Sequence, residues 1–128
     1  MGLEMYLEGK KVFWNHCDEQ PQEDGFKVSY HVLQLGYWCK HPNLHGFIVE
    51  NFAGGKDDCS PVELVEADIE EIIGAVERDA LPHTTGFFFG KSDGTEKEED
   101  LKILRAALDW VRRKERCVSK YISYQASW

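Results

Sequence analysis

Between Phe26 and Leu35 polar and apolar residues alternate, with Lys27, Ser29 and His31 set between Val28, Tyr30 and Val32, the period of two expected of a half-buried strand. Residues 6–14 are similarly rich in β-branched and aromatic side chains, so two strands are expected there. Between them, residues 18–25 hold Pro21, Gly25 and four acids without a periodic apolar position, which predicts a solvated, mobile loop. The period then changes. Leu44, Phe47, Ile48 and Phe52 mark one face of a short helix over 44–51; Pro42 disfavours helix at His41, Asn43 is the expected cap, and Gly54 and Gly55 end it. Ser60 to Leu64 reads as a short strand. Ile69, Ile72, Ile73 and Val76 mark a second helix within 67–79, stopped by Leu81 and Pro82. Residues 85–89, with three consecutive phenylalanines, predict a strand packed on both faces and therefore central in its sheet. Leu101, Leu104, Leu108 and Val111 mark a third helix ending near 114. It opens on Thr95 and Glu98 in capping-box spacing, with acids in its first turn and Arg112, Arg113 and Lys114 in its last. Alternation from Val118 to Tyr124 gives a closing strand. Strands and helices mix without βαβ order, so the expected class is α+β, a single mainly antiparallel sheet with two long helices and one short helix.

Length and composition bound what this fold can do. The 128 residues suit a single globular domain, 42% apolar and 12% aromatic content suffices for one core, and no apolar run reaches membrane-spanning length. The first eleven residues carry Glu4, Glu8, Lys10 and Lys11 and lack the apolar centre of a signal peptide, so the cytoplasm is the expected location. Cys17, Cys39, Cys59 and Cys117 lack paired C-x-x-C spacing and are expected to be free, buried thiols. A net charge of -8 argues against nucleic acid or anionic membrane as a partner. The charge is also uneven. Seven acids and one arginine lie between Glu63 and Asp79, whereas seven bases and two acids lie between Lys102 and Lys120.

Candidate chemistry concentrates in residues 37–52, Y-W-C-K-H-P-N-L-H-G-F-I-V-E-N-F, and 81–90, L-P-H-T-T-G-F-F-F-G. Together they hold three of the five histidines and five of the seven phenylalanines. Cys39, His41 and His45, with Cys59, form a tetrahedral zinc set on paper, but Pro42 keeps His41 off the helical face of His45, so no metal or other cofactor is expected. His83-Thr84-Thr85 has the H-x-T form of two-histidine phosphoesterases and lacks the second copy that chemistry needs. Gly86 and Gly90-Lys91-Ser92 resemble the end of a P-loop, yet only three residues, all phenylalanine, separate the glycines. Ser60, Ser92 and Ser119 show no histidine-carboxylate pairing along the sequence. What remains is a ligand-binding constellation of Tyr37, Trp38, His41, Asn43, His45, His83, Thr84 and Thr85, which would line an aromatic pocket if the two segments meet. The competing reading makes Tyr37 and Trp38 core residues, Asn43 a helix cap and the histidines satisfied by carbonyls.

The blocks around Tyr37 to Phe52, D-D-C-S-P-V-E-L, T-G-F-F-F-G and the terminal Y-Q-A-S-W resemble a family of small phage and prophage proteins with W-R-K-H-P-N-L-H-G-W and T-G-F-F-F-G blocks. The resemblance covers roughly residues 37–128. Members often carry the label phosphoglycerate kinase, an enzyme far larger than this chain and dependent on a nucleotide site absent from it. Cys39 stands where the resemblance leads one to expect arginine. Val65 precedes the acidic helix where Ser or Thr is usual, which should weaken its start by about 1 kcal/mol. The resemblance implies an accessory factor acting in the host cytoplasm. The leading expectation is a non-enzymatic binding module, an inhibitor or small-molecule sponge in host takeover or counter-defence, with an unknown small molecule or host protein as partner. The alternatives are a histidine-dependent hydrolase or transferase acting on a phosphoester or nucleotide, with His45 or His83 as base, and an acidic nucleic-acid mimic using the Glu63 to Asp79 face. Oligomeric state is left open by the sequence.

Overall fold

Strand β1, Glu4–Phe13, turns Met5, Leu7 and Gly9 to one side and Glu4, Glu8 and Lys10 to the other, and this alternation orients the whole sheet. The computed structural model describes residues 2–17, 20–86 and 90–128. β1 pairs antiparallel with β4, Tyr30–Cys39, on one side and with β6, Val118–Ser127, on the other; β5, Val62–Leu64, adds to the free edge of β6. The main sheet therefore runs β4-β1-β6-β5, all antiparallel. Helices α1, Pro42–Phe52, α2, Glu66–Glu77, and α3, Lys97–Arg112, complete the α+β architecture.

The core forms where the inward face of the sheet meets the helical stripes. Leu3, Met5, Leu7, Ile122 and Tyr124 pack with Leu44 and Ile48 of α1, Ile69, Ile72 and Val76 of α2, and Leu104, Ala107 and Trp110 of α3. Two strand glycines let α3 lie close to the sheet. A Cβ on Gly36 would fall 2.3 Å from Ile103 Cγ2, and one on Gly9 would fall 2.8 Å from the Trp110 ring. The opposite sheet face is open, with Tyr30, Val32, Tyr37 and Tyr121 exposed. Among the described residues no helix is long and apolar enough to cross a membrane.

Several local expectations change. The predicted strand over 26–35 is split: Phe26–Lys27, strand β3, pairs with β2, Gln22–Glu23, and β4 begins only at Tyr30. Asp24 and Gly25 both have positive φ, the conformation of a two-residue hairpin turn, so the acidic loop carries a small hairpin that its lack of apolar residues concealed; Asp18 and Glu19 lie outside the described residues. Asn43 is not the cap of α1. That position is His41, with Pro42 in the first turn, because Lys40 at φ 56 turns the chain sharply out of β4. Nor do Thr95 and Glu98 form a capping box; α3 starts from Glu96, and the Thr95 hydroxyl donates to Asp93 instead. The uncapped start of α2 is partly compensated, since the Asp68 carboxylate accepts the Val65 N–H at 3.0 Å. Of the predicted strand over 85–89, Phe87, Phe88 and Phe89 lie outside the described residues, while Thr85 and Gly86 are exposed and belong to no strand.

The cysteine expectation is corrected as well. Cys17 and Cys117 form a disulfide across 100 residues of sequence, joining the segment after β1 to the start of β6. Their pairing follows from the register of β1 on β6, which brings Phe13 opposite Val118 and is invisible in linear spacing. The remaining thiols are not buried either. Cys39 is exposed and Cys59 half-buried.

Candidate functional site

Because β4 delivers Trp38 to the core and the next turn delivers His41 to the head of α1, two polar groups separated by three positions converge beneath the start of α3. There they meet Asp100, a carboxylate only 1% exposed. The Trp38 indole N–H donates to Asp100 Oδ1 at 2.8 Å, and His41 Nε2 lies 2.7 Å from Asp100 Oδ2. Taking the carboxylate as the acceptor of this contact, as it is of the Trp38 contact, assigns the ring proton to Nε2. The other ring nitrogen, Nδ1, then presents a lone pair to Ser92 Oγ at 2.7 Å. Ser92 also accepts the Asn43 N–H at 3.1 Å, one of the donors that the first turn of α1 leaves without an intrahelical partner. Ser92, His41 and Asp100 thus form a continuous hydroxyl-imidazole-carboxylate chain.

This chain borders a cavity of about 170 Å³ lined by His41, Asn43, Val76, Leu81, Ser92 and Asp100 together with Asp79, Glu96 and Lys97. Val76 and Leu81 supply the apolar wall. Lys97 is held by Asp79 at 3.2 Å and by the Glu77 carbonyl at 3.1 Å, and the Glu96 carboxylate accepts the N–H groups of Asp93 and Gly94. Three carboxylates against one lysine give the lining an acidic balance.

A second chain of the same type starts one turn further along α1. His45, 2% exposed, meets the Tyr124 hydroxyl through Nδ1 at 2.6 Å and Asp57 Oδ1 through Nε2 at 2.9 Å. Burial, and next to it the Asp57 charge, push the Tyr124 phenol up, which keeps it a hydrogen-bond donor. The space around this pair, bounded by Val49, Lys56, Cys59 and Trp128, encloses only about 10 Å³.

The eight residues expected to bind a ligand therefore separate. His41 and Asn43 line the cavity. Trp38 supports it from behind through Asp100. Tyr37, one residue earlier on a strand, points to the opposite sheet face, where it packs on Tyr6 and donates to Glu4; loss of hydration, reinforced by the Glu4 charge, pushes its hydroxyl up to about 12. His45 belongs to the Tyr124 cluster. The segments 37–52 and 81–90 do touch, since Thr84 N–H donates to Asn43 Oδ1 at 2.9 Å, but His83 and Thr85 are exposed and do not line the cavity. Ser92 and Asp100 were missed because their partners lie 51 and 59 residues away, with no local spacing to connect them. Among the described residues no three His, Cys, Asp or Glu side chains gather as a metal-holding group. His41 and His45 are each committed to a hydroxyl and a carboxylate, one at the head of α1 and the other a turn further along it.

The acidic face between Glu63 and Asp79 is largely answered within the fold. Arg112 reaches Glu66 and Glu70, Arg105 pairs with Glu77 at 3.1 Å, and Lys97 pairs with Asp79. The local charge asymmetry of the sequence is the complement of α2 against α3. Comparison with protein families, curated proteins and solved structures finds no match to this chain.

Proposed function

We propose that this chain is a small-molecule-binding accessory module whose ligand occupies the cavity beside His41. The observation that carries this reading is that the polar residues His41, Asn43 and Ser92 line one concave space together with an apolar wall formed by Val76 and Leu81, the usual makeup of a ligand site. The resemblance of its blocks to those of small phage and prophage proteins supports a role as an inhibitor or sponge acting on a host molecule. The acidic lining favours a neutral or cationic ligand over a phosphorylated one, which counts against the phosphoester and nucleotide chemistry expected of an enzyme here. The pairing of the acids of α2 with Lys97, Arg105 and Arg112 counts equally against the nucleic-acid mimic.

The host cytoplasm is the proposed site of action, and it carries its own test. Cys17 and Cys117 are expected to be thiols in protein taken directly into an alkylating quench from cytosol and a disulfide after air oxidation. The ligand reading is tested by native mass spectrometry of protein purified from expressing cells. A retained small molecule that disappears in Leu81→Trp, which fills the cavity from its apolar wall and leaves His41, Asn43 and Ser92 unsubstituted, is the expected result. A bare chain mass in the wild type, or equal retention in the variant, would refute the site.

A further inference from the structure

We propose that Ser92 is a nucleophile activated by His41, so that the cavity reacts with small acyl compounds as well as holding them. The geometry satisfies each requirement in turn. A serine hydroxyl is a weak nucleophile until a base takes its proton, and His41 Nδ1 stands 2.7 Å away with its lone pair turned to Oγ by the commitment of Nε2 to Asp100. Asp100 is fixed from its other oxygen by Trp38, so the imidazole has one tautomer and one orientation. Asp100 and Trp38 are positioning residues. Relative to the usual hydroxyl-imidazole-carboxylate arrangement the two ring nitrogens are exchanged, which leaves the proton path intact. Oγ has two lone pairs and one hydrogen; the hydrogen goes to His41, one lone pair takes the Asn43 N–H, and the other remains for attack from the cavity. Negative charge developing on Oγ is met by that N–H and by the positive end of the α1 dipole.

The reaction is an acyl transfer. Oγ bonds to the carbonyl carbon of an ester, thioester or amide while its proton passes to His41 Nδ1, and the same proton leaves with the departing oxygen, sulfur or nitrogen. Water then gives a proton to Nδ1 and its oxygen to the acyl carbon, and Oγ departs carrying the proton. Asp79, Glu96 and Asp100 around the cavity select neutral or cationic acyl groups. The proposal shares its cavity with the ligand reading, yet its test needs no natural ligand, so loss of one result does not entail loss of the other.

The test is labelling of the native protein with an uncharged alkyl fluorophosphonate, in which the Oγ–P bond forms, the P–F bond breaks and fluoride leaves. One adduct on Ser92 by peptide mapping is expected, absent in Ser92→Ala and slower by at least about a hundredfold in His41→Gln. No adduct on Ser92, or adducts on tyrosine alone, would overturn the proposal. Should His41→Gln fail to fold, Ser92→Cys decides with the base in place. The new thiol should be alkylated by iodoacetamide at least about tenfold faster than the exposed Cys39 of the same molecule, and an equal or slower rate overturns the assignment.

Discussion

Replacing Gly46 by alanine should destabilise the protein, although the same change inside an ordinary helix stabilises. Gly46 lies within α1, where adding a methyl normally contributes roughly 0.5–1 kcal/mol by restricting the unfolded chain and restoring helix propensity. Here a Cβ would stand 2.0 Å from Thr84 Oγ1, 2.8 Å from Cγ2 and 2.9 Å from Cβ. No rotation of so short a side chain clears all three atoms, so the segment carrying Thr84 must move, and with it the N–H that donates to Asn43. Overpacking of this kind costs about 1–3 kcal/mol. Set against the helix gain, the net loss should be about 1 kcal/mol and at most about 2.5 kcal/mol. Urea unfolding followed by the fluorescence of buried Trp38 and Trp110 measures it. The decisive comparison is made in a Thr84→Gly background, which removes all three obstructing atoms; there Gly46→Ala should recover its ordinary gain of roughly 0.5–1 kcal/mol. If Gly46→Ala stabilises in both backgrounds, Thr84 does not pack on α1 as described and the overpacking account is refuted.

Three other measurements probe what holds the site. Tyr124→Phe leaves His45 Nδ1 without its buried donor and should cost about 1–3 kcal/mol in urea unfolding, whereas the exposed Tyr121→Phe should cost much less. Cys117→Ser opens a loop closed across 100 residues, for which chain entropy gives an upper value of about 4–5 kcal/mol; adding a dithiol should lower the wild-type thermal midpoint and leave the variant unmoved. Glu115, bonded to Lys11 and Lys120, has its pKa lowered from 4.5 to about 2. Its contribution to stability is therefore complete above about 4.5 and lost as pH falls through about 2, so acid unfolding of wild type and Glu115→Gln should separate near neutrality and converge at the acid end. The carboxylate is partly solvated, so the separation should be small.

The parts of this fold that could be read from the sequence are those whose signal is local. Ile69, Ile72, Ile73 and Val76 declare the buried stripe of α2 because a helix repeats its environment every few residues, and the structure buries all four. β6 declares itself by alternation in the same way. Where the signal is tertiary, local reading failed for identifiable reasons. Asn43 has the composition of a cap, but its side chain is taken by Thr84, and the cap position passed to His41. Cys17 and Cys117 are brought together by strand register alone. The Ser92, His41 and Asp100 chain joins a turn, a helix head and the first turn of a second helix, so no spacing motif could have announced it.

Helix α1 places the same chemistry in two settings, and the contrast identifies which one faces the outside. His41 and His45 are both buried and both bridge a hydroxyl and a carboxylate, and among the described residues no buried side-chain nitrogen or oxygen lacks a partner. Satisfaction of hydrogen bonds therefore cannot separate them, since each arrangement offsets the cost of burying an imidazole. Access and acidity can. Tyr124 is enclosed, and burial raises its pKa, so its proton is fixed between two buried rings in a space of about 10 Å³ and ties α1 to β6. Ser92 presents an equivalent hydroxyl to a cavity of about 170 Å³ with one lone pair still uncommitted. Loss of the Tyr124 contact should therefore register in stability alone, while loss of the Ser92 contact should register in reactivity at the cavity.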